Sequence, residues 1–190
     1  TTLFRSVTTY VGAANGLSNS EANNQGFAKT SKPGTYFLTS ESPAVILSYA
    51  EVQFSLAEAV ARGFISGNAD TYYKEGIAAS LKQFGVTDAT VIATYLSQPA
   101  VLYNAANYKE SIGLQKWIAF YGQGLDAFAE WRRLDYPQLT AGVSTVLDGK
   151  MPFRFFYPGT EQSLNGINYQ SAVSSQGPDL LTTRLWFDVN

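Results

Sequence analysis

The sequence predicts an all-α chain of helical hairpins held between long irregular segments. From residue 45 to residue 134 apolar side chains recur at three- and four-residue steps, the period of one helix face. Before and after that stretch, clustered Gly, Ser, Asn and Pro break the period. The 190 residues suffice for one domain with a core, and 45% hydrophobic content argues against disorder.

Residues 1–44 read as an irregular loop segment of the same domain, because "GAANGLSNSEANNQG" has neither helical nor strand period. The first helix is expected after "SESPA", with Ser42 as cap and Pro43 in the first turn. Val45, Tyr49, Val52, Leu56, Val60 and Phe64 form its apolar stripe. Ile46, Ala50, Ala57 and Ala61 flank it with mostly small residues that permit close approach, and Gly63 and Gly67 end it. "SGNADTYYKEGIAASLKQFGV" is the return helix, with Asp70 as cap, Tyr73, Ile77, Leu81 and Phe84 as stripe and Gly85 as exit. Such a hairpin cannot bury both its faces alone and stacks on neighbours.

"TDATVIATYLSQ" predicts a third, shorter helix capped by Thr87 or Asp88. "NYKESIGLQKWIAFYGQ" and "GLDAFAEWRRL" predict two more. Leu114, Ile118, Tyr121, Leu125 and Phe128 keep helical spacing across Gly122 and Gly124, so a bent helix or two short ones both fit. After Pro137 an irregular, ordered tail is expected, with a short helix near 165–172 and aromatics packed back on the helices.

Thirteen Lys+Arg against fifteen Asp+Glu give a net charge of −2 with the signs interspersed, so no nucleic-acid partner is expected. No apolar run reaches the roughly 18 residues of a membrane span. "TTLFRSVTTY" lacks the apolar centre of a signal peptide. The chain has no Cys and no His. That excludes thiol nucleophiles, thiolate metal sites and imidazole bases within it. Catalysis would have to use carboxylates, Lys, Tyr or a hard cation.

Glu51 and Glu58, seven apart, share a helix side and could serve acid–base work on a glycosidic bond. A polar helix face, or buried partners for Arg132 or Arg133, is the reading that single-helix Glu pairs more commonly carry. Arg132 and Arg133 could grip a phosphate or carboxylate. In the last turn of a helix they also suit its carbonyl end, one inward beside Trp131 and the other outward. "SGNAD" and "QGPD" could offer oxygens to calcium, but ordinary turns explain them. No cofactor or other metal is expected, and calcium stays open. "GVSTVLDGK" has the wrong glycine spacing for a phosphate loop. Twelve Tyr, twelve Phe and three Trp offer faces for stacking on sugars. The loop aromatics Tyr10, Tyr36 and Tyr157 are the candidate ligand-binding residues.

"LSYAEVQFSLAEAVARG" resembles the helix signature of the SusD/RagB family in Tyr49, Ala50, Glu51, Phe54, Leu56, Ala57, Glu58 and Ala59. "YYKEGIAASLKQFG" is similar to the following helix. "IGLQKWIAFYGQGLDAFAEWRRLDYPQL" resembles the next signature in Gln115, Lys116, Trp117, Trp131, Arg132, Arg133 and Pro137. "MPFRFFYPGTEQSLNGINYQSA" resembles the final block in Pro152, Arg154, Tyr157, Pro158, Glu161, Asn165 and Asn168, and "LWFDVN" the family's ending. The likeness covers residues 43–190, closest to the SusD-like branch.

The resemblance implies tetratricopeptide-like helical hairpins, with Tyr49, Glu51, Glu58, Trp117, Trp131, Arg132, Arg133 and Pro152 as structural signature. It implies that residues 45–190 form a C-terminal region whose partner is the rest of the same polypeptide, upstream. It also implies a non-catalytic outer-membrane lipoprotein on the extracellular face, anchored through an N-terminal cysteine not in this chain. Such a protein would pass oligosaccharides to a SusC-like TonB-dependent transporter. A helical-repeat scaffold for peptide or protein partners, or a carboxylate-based glycosidase, are the alternatives.

Overall fold

The computed structural model describes residues 10–142 and 147–188. Residues 1–9, which carry most of "TTLFRSVTTY", and part of "GVSTVLDGK" lie outside them. The fold is all-α, with no strand among the described residues. Its helices are α1 (Asn19–Gln25), α2 (Tyr49–Ala61), α3 (Ala69–Gln83), α4 (Ala89–Leu96), α5 (Tyr108–Ala119), α6 (Gly124–Leu134), α7 (Gly159–Leu164) and α8 (Gly166–Gln176). Short 3-10 turns lie at Phe27–Lys29, Thr35–Phe37 and Ala105–Asn107.

Polar caps set the starts of α1 to α4, and two differ from expectation. α2 begins at Tyr49 rather than at Pro43, because Ser48 Oγ accepts from Glu51 N at 3.0 Å. Asn68, not Asp70, caps α3, accepting from Thr71 N at 3.3 Å. Asp70 instead takes Lys74 one turn on, at 2.5 Å. Asp88 caps α4 as read from the sequence. The stretch read as loop before residue 44 contains α1. It buries no side chain, so apolar period could not reveal it. A capping box does: Ser18 accepts from Glu21 N, and the Glu21 carboxylate accepts from Ser18 N at 2.8 Å.

The core lies between the α2–α3 hairpin, α5 and the end of α6. Ala50, Phe54 and Ala57 of α2 meet Tyr73 and Ile77 of α3, Ile112 and Ala119 of α5 and Leu134 of α6. Phe54 is 0% exposed. The buried face of α2 is therefore the small-residue flank, not the expected stripe: Tyr49, Val52 and Phe64 are exposed. α2 is apolar on both sides, and the small side wins because α3 can come close there. A Cβ on Gly76 would sit 2.9 Å from the Phe54 ring. α5 repeats the pattern, burying Ile112, Gly113, Ala119 and Phe120 while Ile118 and Tyr121 stay exposed. α5 and α6 are two helices rather than one bent helix, separated at 120–123.

The tail is more helical than expected, with α7 and α8 in place of one short helix. Phe153 N and Arg154 N donate to the Leu181 carbonyl at 2.7 and 3.3 Å, tying 153–157 to the last segment. Phe153 packs back on Trp131, their rings 5.5 Å apart and near-parallel. Phe155 and Trp186 do not pack back: Trp186 is 85% exposed.

Candidate functional site

The two arginines of "EWRRLDYP" leave α6 toward different segments, and both are held. Arg133 crosses to α2, where Nη1 and Nη2 each lie 2.5 Å from a Glu58 carboxylate oxygen. It also donates to Glu130 at 3.0 and 2.7 Å. Lys116 of α5, itself buried, reaches Glu130 at 3.0 Å, and Arg62 reaches Glu58 at 2.8 Å. Three helices are thus joined by a buried charge clasp. Burial pushes the Glu130 carboxyl up, but the Arg133 hydrogen bonds and the Lys116 and Arg133 charges outweigh it and hold it below the usual range. The Glu58 hydrogen bonds raise Arg133 well above its ordinary value.

This clasp answers the paired-carboxylate reading. Glu58 is taken by two guanidinium groups and Glu51 stands in the first turn of α2 beside Ser48, so they present no joint acid–base pair. Trp131 Nε1 donates to the Pro137 carbonyl at 3.0 Å, and Asp135 closes α6 in the left-handed region at φ 58. Arg132, expected to point outward if Arg133 points inward, is also half-buried. Its Nη1 donates to the Phe153 carbonyl at 2.7 Å, and the rings of Phe128 and Phe187 cover it at 4.3 and 5.2 Å. Of the remaining signature residues, Tyr49, Trp117 and Pro152 are exposed.

Two clefts meet at the start of α6. One cleft of about 400 Å³ is lined by Tyr36, Phe37, Phe84, Tyr121, Gln123 and Leu125, among others. Tyr36 and Phe37 meet edge-on at 4.9 Å, and Phe37 meets Tyr121 at 5.3 Å. Gly122 lets this happen: it sits at φ 92, and a Cβ there would lie 2.9 Å from the Phe37 ring. A second cleft of about 510 Å³ is lined by Leu125, Phe128, Arg132, Arg154, Phe155 and Tyr157, among others. Leu125 is 83% exposed and lines both, so the clefts are neighbours at the start of α6.

The three candidate loop aromatics are not brought together. Tyr36 lines the first cleft and Tyr157 the second, while Tyr10 lines neither. Tyr157 is clamped: its hydroxyl accepts from Gln176 Nε2 at 2.5 Å, its ring lies against Tyr169, and the Arg154 guanidinium sits 4.8 Å from its centre. Arg154 in turn pairs with Asp179 at 2.8 Å, and Asp179 also accepts from Tyr157 N. The aromatics that sequence reading missed are Phe37, Tyr121, Phe155 and Phe156. The run "FRFFYP" was the signal for Phe155 and Phe156, since a run of rings outside any helix stripe cannot all enter a core; Phe37 directly follows Tyr36, and Tyr121 falls on a helix stripe. The oxygen-rich turns are occupied by protein: Asn68 caps α3 and Asp179 holds Arg154. No group of three or more acids among the described residues is placed to hold a metal.

Residues 4–158 match the model of a SusD-like family described as starch-binding and associating with the outer membrane. A chitin-binding protein of known structure is 34% identical, with a TM-score of 0.75 over 85% of this chain and 37% of its own. A SusD-like protein from Bacteroidetes is 32% identical, with a TM-score of 0.78 over 84% of this chain and 33% of its own. A chitin-binding SusD homologue from Flavobacterium johnsoniae is 27% identical, with a TM-score of 0.78 over 96% of this chain and 44% of its own. The chain therefore spans between a third and a half of the length of these solved relatives. Comparison with curated proteins finds no match. A family match over most of the sequence, and relatives above 30% identity that share its helical fold, place the chain: it belongs to the SusD-like family.

Proposed function

We propose that this chain is part of a non-catalytic glycan-binding protein of the bacterial outer membrane. It holds oligosaccharides at the extracellular face and passes them to a SusC-like TonB-dependent transporter. The observation that carries the reading is the pair of neighbouring clefts at Leu125, whose exposed rings and scattered amide groups suit sugar faces and hydroxyls. The family description and the chitin-binding names of two relatives support it. No helix among the described residues is long and apolar enough to cross a membrane. The proposed attachment is a lipid on an N-terminal cysteine of the whole protein.

Calorimetric titration of the whole protein with starch- and chitin-derived oligosaccharides tests the reading. We expect binding without release of new reducing ends. Tyr121→Ala and Phe155→Ala should each weaken it by about tenfold, the value of one well-stacked ring. Binding untouched by both substitutions would move the site elsewhere.

A second reading, a scaffold for a protein partner, has its own observation. Ile46, Leu47, Tyr49 and Val52 form an exposed apolar face at the start of α2, beside a groove of about 530 Å³ between α2 and α3. The rest of the same polypeptide is the partner we assign to that face.

A further inference from the structure

The first cleft holds a carboxylate that the fold does not use. Asp126 stands exposed in the first turn of α6 and lines the cleft. It makes no hydrogen bond or ion pair among the described residues. Glu58, Glu130 and Asp179, by contrast, are each held by a guanidinium group. Asp126 closes no capping box either: Gln123, the residue before the helix, makes no side-chain cap, and its N–H donates to the Phe120 carbonyl at 2.7 Å. An acid in a first turn suits the helix dipole, but that dipole amounts to about half a charge and the carboxylate to a whole one. No lysine or arginine among the described residues lines this cleft, so its charge stays negative and accessible.

Two further features of the same cleft converge on a cation. Gln123 Nε2 donates to the Val45 carbonyl at 3.5 Å, which leaves the amide oxygen as the end open to a ligand. Tyr121 is 41% exposed, and Tyr36 and Phe37 stand half-buried beside it. Aromatic faces attract a cation held near them. An ammonium group brings three donors and no acceptor. It is matched by a carboxylate, an amide oxygen and ring faces, and the same rings suit the apolar face of the sugar that carries it.

We propose that the first cleft takes the amine-bearing unit of an amino-sugar oligosaccharide. The protonated amine donates to the Asp126 carboxylate and to Gln123 Oε1, Tyr121 lies against the ring, and the following units run past Leu125 into the second cleft. This rests on the glycan-binding reading and narrows it to a cationic substrate class.

The test titrates the whole protein with two matched sets at about pH 5.5, between the ordinary ranges of carboxylates and amines. One set is a partly deacetylated chito-oligosaccharide and its fully N-acetylated counterpart. The other is a malto-oligosaccharide with an amine in place of one hydroxyl, and its unmodified counterpart. The expected result is that in at least one set the amine form binds about tenfold or more tighter, the gain of a charge-assisted hydrogen bond. That advantage should fall as salt rises, which reads the charge without any substitution. In Asp126→Asn it should shrink to about threefold or less. Glu110→Gln removes the same charge from the first turn of α5, outside the cleft, and should leave the advantage intact. Equal binding of amine and neutral forms overturns the inference and leaves the glycan reading standing. So does an advantage that survives Asp126→Asn, or one that Glu110→Gln lowers as much, which would mark a general attraction to an acidic protein. Binding of no saccharide, amino or neutral, overturns the glycan reading itself.

Discussion

Glu58 sits almost out of solvent under two guanidinium groups, and Glu130 bridges Arg133 to Lys116. Removing one acid leaves its cations facing each other with less compensation. Glu58→Gln should cost about 2–3 kcal/mol, at or just below the usual range for breaking a buried pair, because Arg62 and Arg133 keep partial access to water. Urea denaturation measures it, and a loss under about 0.5 kcal/mol would show that the clasp is only a surface pair. Glu130 also sets a pH response. Its folded pKa lies below the free value, so its contribution is complete above the unfolded carboxylate pKa, near 4.3. The contribution is lost as pH falls through the folded pKa. Asp188 works the other way: burial raises its pKa, so its contribution is present at low pH and is lost as pH rises through that raised value. Melting temperature against pH from about 3 to 7 should therefore fall less steeply toward acid in Glu130→Gln than in the parent, while Asp188→Asn should steepen it.

Gly76 decides which side of α2 is buried. Gly76→Val would push a side chain into the Phe54 ring, 2.9 Å from where its Cβ would stand, and should cost about 1–3 kcal/mol. A variant as stable as the parent would mean that α2 and α3 do not meet at this contact. Ser18→Ala should remove only the local capping energy of α1, about 1 kcal/mol, read by faster amide exchange at 19–25 with little change in global melting. The hairpins were legible in the sequence because 3.6-residue period and glycine exits survive any environment. Which face turns inward was not legible for α2 or α5. Both helices are apolar on two sides, and the choice rests on Gly76 and Gly113, whose partners Phe54 and Tyr136 lie on other segments. The start of α2 was missed because Ser42 with Pro43 and Ser48 with Glu51 are rival signals, and only Ser48 makes the cap.

At the scale of the whole molecule, the chain shows two kinds of unpaired surface. One is the apolar face at the start of α2, which we assign to further helices of the same polypeptide. The other is the aromatic groove at the α5–α6 break, which we assign to glycan. The groove was half legible: aromatic abundance pointed to sugar stacking, and Tyr36 and Tyr157 lie on it. Its composition was not, because Phe37, Leu125 and Phe155 come from segments 88 and 30 residues apart that only the fold joins. The family signature was legible residue by residue because the clasp and the Trp131 turn use side chains at fixed offsets. The most direct measurement is calorimetric titration of Phe155→Ala and the parent with the tightest-binding oligosaccharide. The account predicts that the exposed ring can be removed without loss of melting temperature while affinity falls by about tenfold. Unchanged affinity in a folded variant would contradict the placement of the glycan in this groove.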